Sequence, residues 1–209
     1  MTSTPIADLW STPSGGAGSR PEAAYRLLEA AVEAFAERGF HATTTRDIAT
    51  AAGMSPAALY IHYPSKAALL AEISRAGHAA TLALVRAAAG AEGDPVTRMR
   101  RLVEDFTRWH ARGNTVGRVV NYELHALPAE DYTVVAGLRL DIERTVSEVI
   151  ADGVAAGVFE VAEVKTAARA VTSLGIDVSR WYTGRSSESP QELGRRYGEL
   201  VLRMLGARL

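Results

Sequence analysis

The sequence predicts an all-α protein in which an N-terminal three-helix helix-turn-helix domain joins a larger helical domain. Three observations carry this. Apolar residues recur at helical spacing in segment after segment. Proline, glycine and short hydroxylated residues punctuate those segments where helices start and stop. No period-two alternation bounded by hairpin turns stands out, and no internal repeat is visible.

Residues 1–19 mix Ser, Thr, Gly and Pro and end in SGGAGS, too little apolar surface to offset ordering, so a flexible arm is expected. From Pro21 the pattern changes. Ala24, Leu27, Leu28, Ala31, Val32 and Phe35 form one helix stripe, closed by Gly39. A short helix follows over 45–52, with Thr44 as cap and Ile48, Ala49 and Ala52 inward. Gly53 supplies a turn, and Ser55-Pro56 opens a third helix. The chain breaks at Tyr63-Pro64, and Ser65 caps a longer fourth helix that begins at Lys66.

Further helices are expected from Pro95 to about Arg112 and over about 116–126, the latter stopped by Pro128. Val135, Leu138, Ile142, Val146, Val149 and Ile150 mark a long one, ended by the Gly153 to Gly157 stretch. Val164, Ala168, Val171, Leu174, Val178 and Trp181 mark the next, and the last runs from Pro190 through Met204. The expected division is an arm at 1–19, a helix-turn-helix domain at 20–66 and a second helical domain at 67–209.

Composition narrows the functional classes. Apolar residues are 47% and charged residues 22%, ordinary for a globular chain. No apolar run reaches the roughly 18 residues of a membrane span, and no basic segment precedes an apolar stretch at the N-terminus. No membrane association and a cytoplasmic location are the expectation. With no cysteine there is no disulfide, thiolate metal site or cysteine nucleophile. No G-x-S-x-G, Walker loop or H-E-x-x-H is present, and the five histidines lack metal-ligand spacing. Neither an enzyme, a cofactor nor a metal is expected. The net charge of −1 runs against the basic surplus usual in nucleic-acid binders. Four of the five acids between Arg20 and Lys66 lie on the first helix, however, so the other helices can still be locally positive.

Residues 44–66 read TTRDIATAAGMSPAALYIHYPSK: two short helices around a Gly turn, behind an amphipathic helix, the plan of a helix-turn-helix. Thr44, Thr45, Ile48, Ala49, Ala52, Gly53, Ser55, Leu59, Tyr60, His62, Tyr63, Ser65 and Lys66, behind FAERGF at 35–40, resemble the TetR family of regulators over about residues 22–73. The resemblance implies DNA-facing roles for Thr44, Thr45, Arg46, Ser55, Pro56, Ala57, Ala58, Tyr60, His62, Tyr63 and Lys66.

In chemical terms Thr45 would bond a phosphate, and Arg46 would pair with guanine or take a phosphate. Ala57 and Ala58 would face bases. Tyr60, His62 and Lys66 would be phosphate ligands. Structural roles stand beside these: Thr44 and Ser55 as caps, Tyr60 and Tyr63 as core aromatics.

The resemblance also implies that the remainder dimerises through its last two helices and binds a small effector, giving a palindromic double-stranded operator. Small residues at Ala167, Ala170, Gly175, Gly194 and Gly198 would permit close helix approach there. More loosely, residues 121–143 and 177–182 resemble the branch that senses CoA thioesters of fatty-acid or sterol breakdown. Phe106, Trp109, Asn121, Tyr122, His125, Leu138 and Trp181 are then candidate pocket residues, with plain core packing as the other reading. Arg139 and Arg180 meet a CoA phosphate or form surface pairs. The implied function is a ligand-responsive repressor released by a lipophilic effector such as an acyl-CoA. The alternatives are a drug, aromatic or steroid-like effector, or a non-enzymatic helical interaction protein.

Overall fold

The computed structural model describes residues 22–183 and 188–207. The expected arm at 1–19, with Arg20 and Pro21, lies outside the described residues. Within them the chain is helical, with no strand: α1 (Glu22–Arg38), α2 (Thr45–Ala51), α3 (Pro56–His62), α4 (Lys66–Ala89), α5 (Pro95–Arg112), α6 (Asn114–Tyr122), a 3₁₀ turn (Leu124–Ala126), α7 (Ala129–Ala155), α8 (Val164–Trp181) and α9 (Pro190–Met204).

Most boundaries are set by local chemistry. Asp94 accepts from the Thr97 amide, and Pro95 then occupies the first turn of α5, where its missing N–H costs nothing. Ser189 and Glu192 form a reciprocal capping box ahead of Pro190, satisfying two otherwise orphaned donors of α9.

One boundary differs from the sequence expectation, and one is left unmarked by it. The helix expected over about 116–126 ends at Tyr122 and continues as a 3₁₀ turn. Leu127 precedes Pro128 and is extended, as ring clash with the preceding residue favours. Helix α7 starts at Ala129, six residues ahead of its first stripe residue, Val135. Its opening turns are mostly exposed and carry no apolar period, while Glu130 and Asp131 suit the positive end of the helix dipole.

The chain forms two compact units, and they do not divide at 66/67. One comprises the described residues up to His78 together with Thr115–Val135; the other comprises Ala79–Asn114 and the described residues from Ala136 onward. Helix α4 thus contributes to both, and α6 belongs with the N-terminal helices. Gly77 explains part of that grouping, since a Cβ there would lie 3.2 Å from a Val120 methyl.

The N-terminal unit is built on Leu27, Leu28, Val32, Phe35, Ile48, Leu59, Leu69 and Leu70, all buried. The C-terminal unit packs Met99, Leu102 and Phe106 of α5 with Val146 and Ile150 of α7, Ala168 and Val171 of α8, and Val201 and Leu202 of α9. Gly175, Gly194 and Gly198 do permit close approach, but within the chain. A Cβ on Gly194 would lie 2.8 Å from the Glu104 carbonyl oxygen, and one on Gly175 2.3 Å from Phe106. These three glycines therefore seat α8 and α9 on α5, which corrects their assignment to a surface between subunits.

The sequence showed no span-length apolar run, yet α4 meets the length, with a window of mean hydropathy 1.2. Of that window 61% is buried inside the protein, the state of a core helix.

Candidate nucleic-acid interface

Helix α1 ends where Gly39 takes a left-handed backbone (φ +78°), a conformation that costs glycine nothing. Thr43 then folds inward, fully buried, its hydroxyl donating to the Gly39 carbonyl at 2.8 Å. Thr44 caps α2. Its hydroxyl accepts from the Asp47 amide at 3.1 Å and donates to the Asp47 carboxylate at 2.7 Å. The Asp47 carboxylate also accepts from the Thr44 amide at 2.9 Å. These bonds to Thr44, with help from the Arg38 and Arg46 charges, hold the Asp47 carboxyl below its usual range. Thr44 is therefore a cap, the structural one of its two expected roles.

Between α2 and α3 the chain turns at Gly53 (φ +67°), where a Cβ would also come within 2.8 Å of the Arg26 guanidinium. Arg26 itself donates to the Ala52 carbonyl and fastens α1 to the turn. Ser55 caps α3 through the Ala58 amide at 3.2 Å, with Pro56 in first position. Leu59, fully buried, anchors α3 against the unit.

Anchored this way, α2 and α3 expose Arg46, Ser55, Pro56, Ala57 and Tyr60, with Thr45, Ala58, His62 and Tyr63 half-buried. Thr45 and Tyr60 meet: their hydroxyl oxygens lie 3.1 Å apart across the two helices. Two residues expected as separate phosphate ligands thus form one hydroxyl pair at the helix crossing. Tyr60 is 54% exposed, which excludes its reading as a core aromatic.

Lys66 departs from expectation. Its ammonium donates to the carbonyls of Phe40 (2.7 Å), Thr43 (2.8 Å) and His41 (3.3 Å) and lies 4.4 Å from the Phe40 ring centroid. An ammonium has three donors, and all are engaged. Lys66 clamps the α1–α2 connection rather than presenting a free charge to phosphate. Sequence reasoning also missed Glu123, whose carboxylate accepts from the Phe40 amide at 3.4 Å. The two residues are 83 apart in sequence, a separation at which no local signal exists.

The expected effector residues are divided between the units. Phe106, Trp109, Leu138 and Trp181 belong to the C-terminal unit, and Asn121, Tyr122 and His125 to the N-terminal one. Phe106 is 3% exposed and packs its ring against His110, the centroids 4.3 Å apart, so its core reading holds. Trp109 is half-buried and donates its indole N–H to the Thr81 hydroxyl at 3.1 Å. Leu138 packs against the core from its edge. The Asn121 amide donates to the Gly117 carbonyl, while Tyr122, His125 and Trp181 are exposed. Arg180 is a surface pair with Asp177 at 2.6 Å.

One buried titratable group was not foreseen. His110 bonds the Phe106 carbonyl through Nδ1 at 2.8 Å, and burial pushes its pKa down to about 4 against that bond, with the Arg139 charge lowering it further.

Two short, capped helices crossing at a glycine turn, packed on a preceding amphipathic helix, define a helix-turn-helix DNA-binding protein. Known proteins agree in detail. The family described as bacterial regulatory proteins, tetR family, matches residues 27–73, and the tetracyclin repressor-like C-terminal domain matches residues 92–205. The chain is 30% identical over 206 residues to the HTH-type transcriptional repressor KstR2 of Rhodococcus jostii, covering 97% of this chain and 96% of that one.

Among solved structures, a tetR-family regulatory protein from Rhodococcus RHA1 superposes with a TM-score of 0.86 at 39% identity, covering 91% of this chain and all of that one. The ketosteroid transcriptional regulator KstR2 of Mycobacterium tuberculosis superposes at 0.83 with 25% identity, covering 92% and 99%. The chain belongs to the TetR family of transcriptional regulators. It is a DNA-binding regulator and not an enzyme.

Proposed function

We propose that the protein is a cytoplasmic, ligand-responsive repressor that binds a palindromic operator as a homodimer and is released by a lipophilic effector. The observation that carries this reading is the exposed α2–α3 surface, held by the Thr45–Tyr60 hydroxyl pair and by the Lys66 clamp. Arg46 contacts a guanine edge or a phosphate, and the Thr45–Tyr60 pair, Ser55 and His62 contact phosphates; Ala57 and Ala58 lie against the groove floor, and Pro56 and Tyr63 flank them. Lys66 acts at one remove, by fixing the connection that positions α2.

Dimerisation through α8 and α9 is supported by Leu200 and Met204, exposed one turn apart on α9. Trp109, Leu138 and Trp181 are the proposed effector contacts in the C-terminal unit, with Phe106 supporting them from its core; Asn121, Tyr122 and His125 are the proposed contacts in the N-terminal unit. The effector is an acyl-CoA thioester or another lipophile. The name carried by the M. tuberculosis KstR2 structure, ketosteroid transcriptional regulator, favours a sterol-derived ligand within that range.

Coupling has a short route. Asn121, Tyr122 and His125 flank Glu123, whose carboxylate holds the Phe40 amide next to the Lys66 clamp. A ligand that favours one arrangement of this turn shifts the α1–α2 connection by its differential affinity for the two states.

The test joins two titrations. Binding to fluorescent duplexes should weaken as salt rises, as counterion release requires. Arg46→Ala and Tyr60→Phe should reduce it with the sedimentation coefficient unchanged. A thermal-shift panel of acyl-CoAs, free acids, steroids, aromatics and cationic drugs then identifies the effector class. Loss of the dimer in parallel with loss of DNA binding would overturn the assignment of α2–α3.

A further inference from the structure

Helix α3 is the element that a helix-turn-helix inserts into the major groove. Its sequence, PAALYIH, holds no Arg, Lys, Asn, Gln, Asp or Glu, so it lacks every side chain that reads a base edge by bidentate or carboxylate hydrogen bonding. Of the polar groups on and beside it, Ser55 caps the Ala58 amide, the Tyr60 hydroxyl pairs with Thr45, and His62 sits half-buried in the last turn, three residues from buried Leu59 and so off the outward face. Leu59 is fully buried, which turns the opposite face of α3 outward. Residues four apart lie one above the other on a helix, so Ala57 and Ile61 form the centre of that outward face.

Ile61 is 81% exposed, more than any other large apolar side chain among the described residues. In that position it gains almost nothing from folding, and a β-branched residue does not favour the helix either. Its χ1 is nearly fixed in a helix, which makes it a stiff apolar knob. The apolar group that base pairs offer in the major groove is the thymine C5-methyl.

We propose that Ile61, together with Ala57, reads thymine methyl groups at the centre of each operator half-site. Sequence discrimination by α3 is then apolar rather than hydrogen-bonded. The inference rests on the DNA-binding reading above and deepens it by naming the chemistry of the recognised base.

The experiment uses the full-length, effector-free protein. Duplexes are selected from a random-sequence library, and each thymine of the enriched half-site is replaced singly by deoxyuridine, which pairs identically but lacks the methyl. At one or two central positions per half-site, uracil should weaken binding about fourfold, the effect of one apolar carbon. Ile61→Ala should bind the thymine and uracil duplexes equally at those positions, with its melting temperature within a few degrees of the parent because the side chain is exposed. Enriched duplexes that show no uracil penalty, or a penalty that Ile61→Ala leaves intact, overturn the inference while DNA binding stands. If the library yields no enriched duplex, the DNA-binding reading fails and this inference with it.

Discussion

Acid should destabilise this protein through His110, and the size of the effect follows from the structure. The imidazole is 5% exposed, packed on Phe106, with its folded-state pKa near 4 against an unfolded value near 6.5. Folded, the ring stays neutral down to about pH 4; unfolded, it takes a proton below about 6.5. The neutral native ring therefore costs nothing above pH 6.5, and stability is lost as pH falls from 6.5 toward 4, because the unfolded state binds the extra proton. The full difference is about 3 kcal/mol at about 1.4 per pKa unit, of which about 2 kcal/mol falls between pH 7.5 and pH 5. For a chain of this size that is a drop of about 4–8 °C in melting temperature. The assay is urea or thermal unfolding at both pH values for the parent and for His110→Asn, which can keep a donor toward the Phe106 carbonyl but cannot titrate. The variant is less stable at both, yet its loss between pH 7.5 and 5 should be smaller by about 2 kcal/mol. Parallel pH profiles for the two proteins, or an imidazole NMR titration with its midpoint above pH 6, would refute the reasoning.

Gly175→Ala places a Cβ within 2.3 Å of the Phe106 ring and should cost about 1–3 kcal/mol by overpacking. Combining it with Phe106→Leu should recover part of that loss in thermal melts, since the two sites then couple. Lys66→Met keeps the stem but leaves three carbonyls without their donor, so about 2 kcal/mol should be lost and amide exchange should quicken from Phe40 to Thr45. Ser189→Ala opens the capping box of α9 and should cost about 1 kcal/mol, with faster exchange confined to the first turn of α9.

The helix-turn-helix was legible because its signals are local. Thr44 with Asp47, Gly53, and Ser55 with Pro56 set the starts and stops of α2 and α3 through bonds spanning three or four residues, and a cap works wherever the chain then goes. The same holds for Asp94-Pro95 and Ser189-Pro190. Where a helix surface is exposed, as over the first turns of α7, periodicity has nothing to report and the start of the helix is unmarked in the sequence.

The candidate site was legible in part. Arg46 and Ala57 are exposed on α2 and α3, whereas Lys66 and Glu123 make contacts 23 to 83 residues distant along the chain. A sequence motif records that a lysine belongs at position 66; it carries no information on whether the charge faces a phosphate or a cluster of carbonyls. Phe106 is a similar case, since an aromatic in an amphipathic stripe suits a pocket or a core equally until the absent Cβ of Gly175 lets α8 close upon it.

The sequence by itself determined the helical class, the cap-defined boundaries and the family, because these depend on spacing and on hydrogen bonds within one turn. Only the tertiary structure decided that Thr45 and Tyr60 pair, that Lys66 is a clamp, that α6 groups with the N-terminal helices, and that three glycines serve α5 rather than a partner. Each of those is a contact between residues far apart in sequence. Such contacts are fixed by the packing of whole helices, which cap and turn signals do not encode.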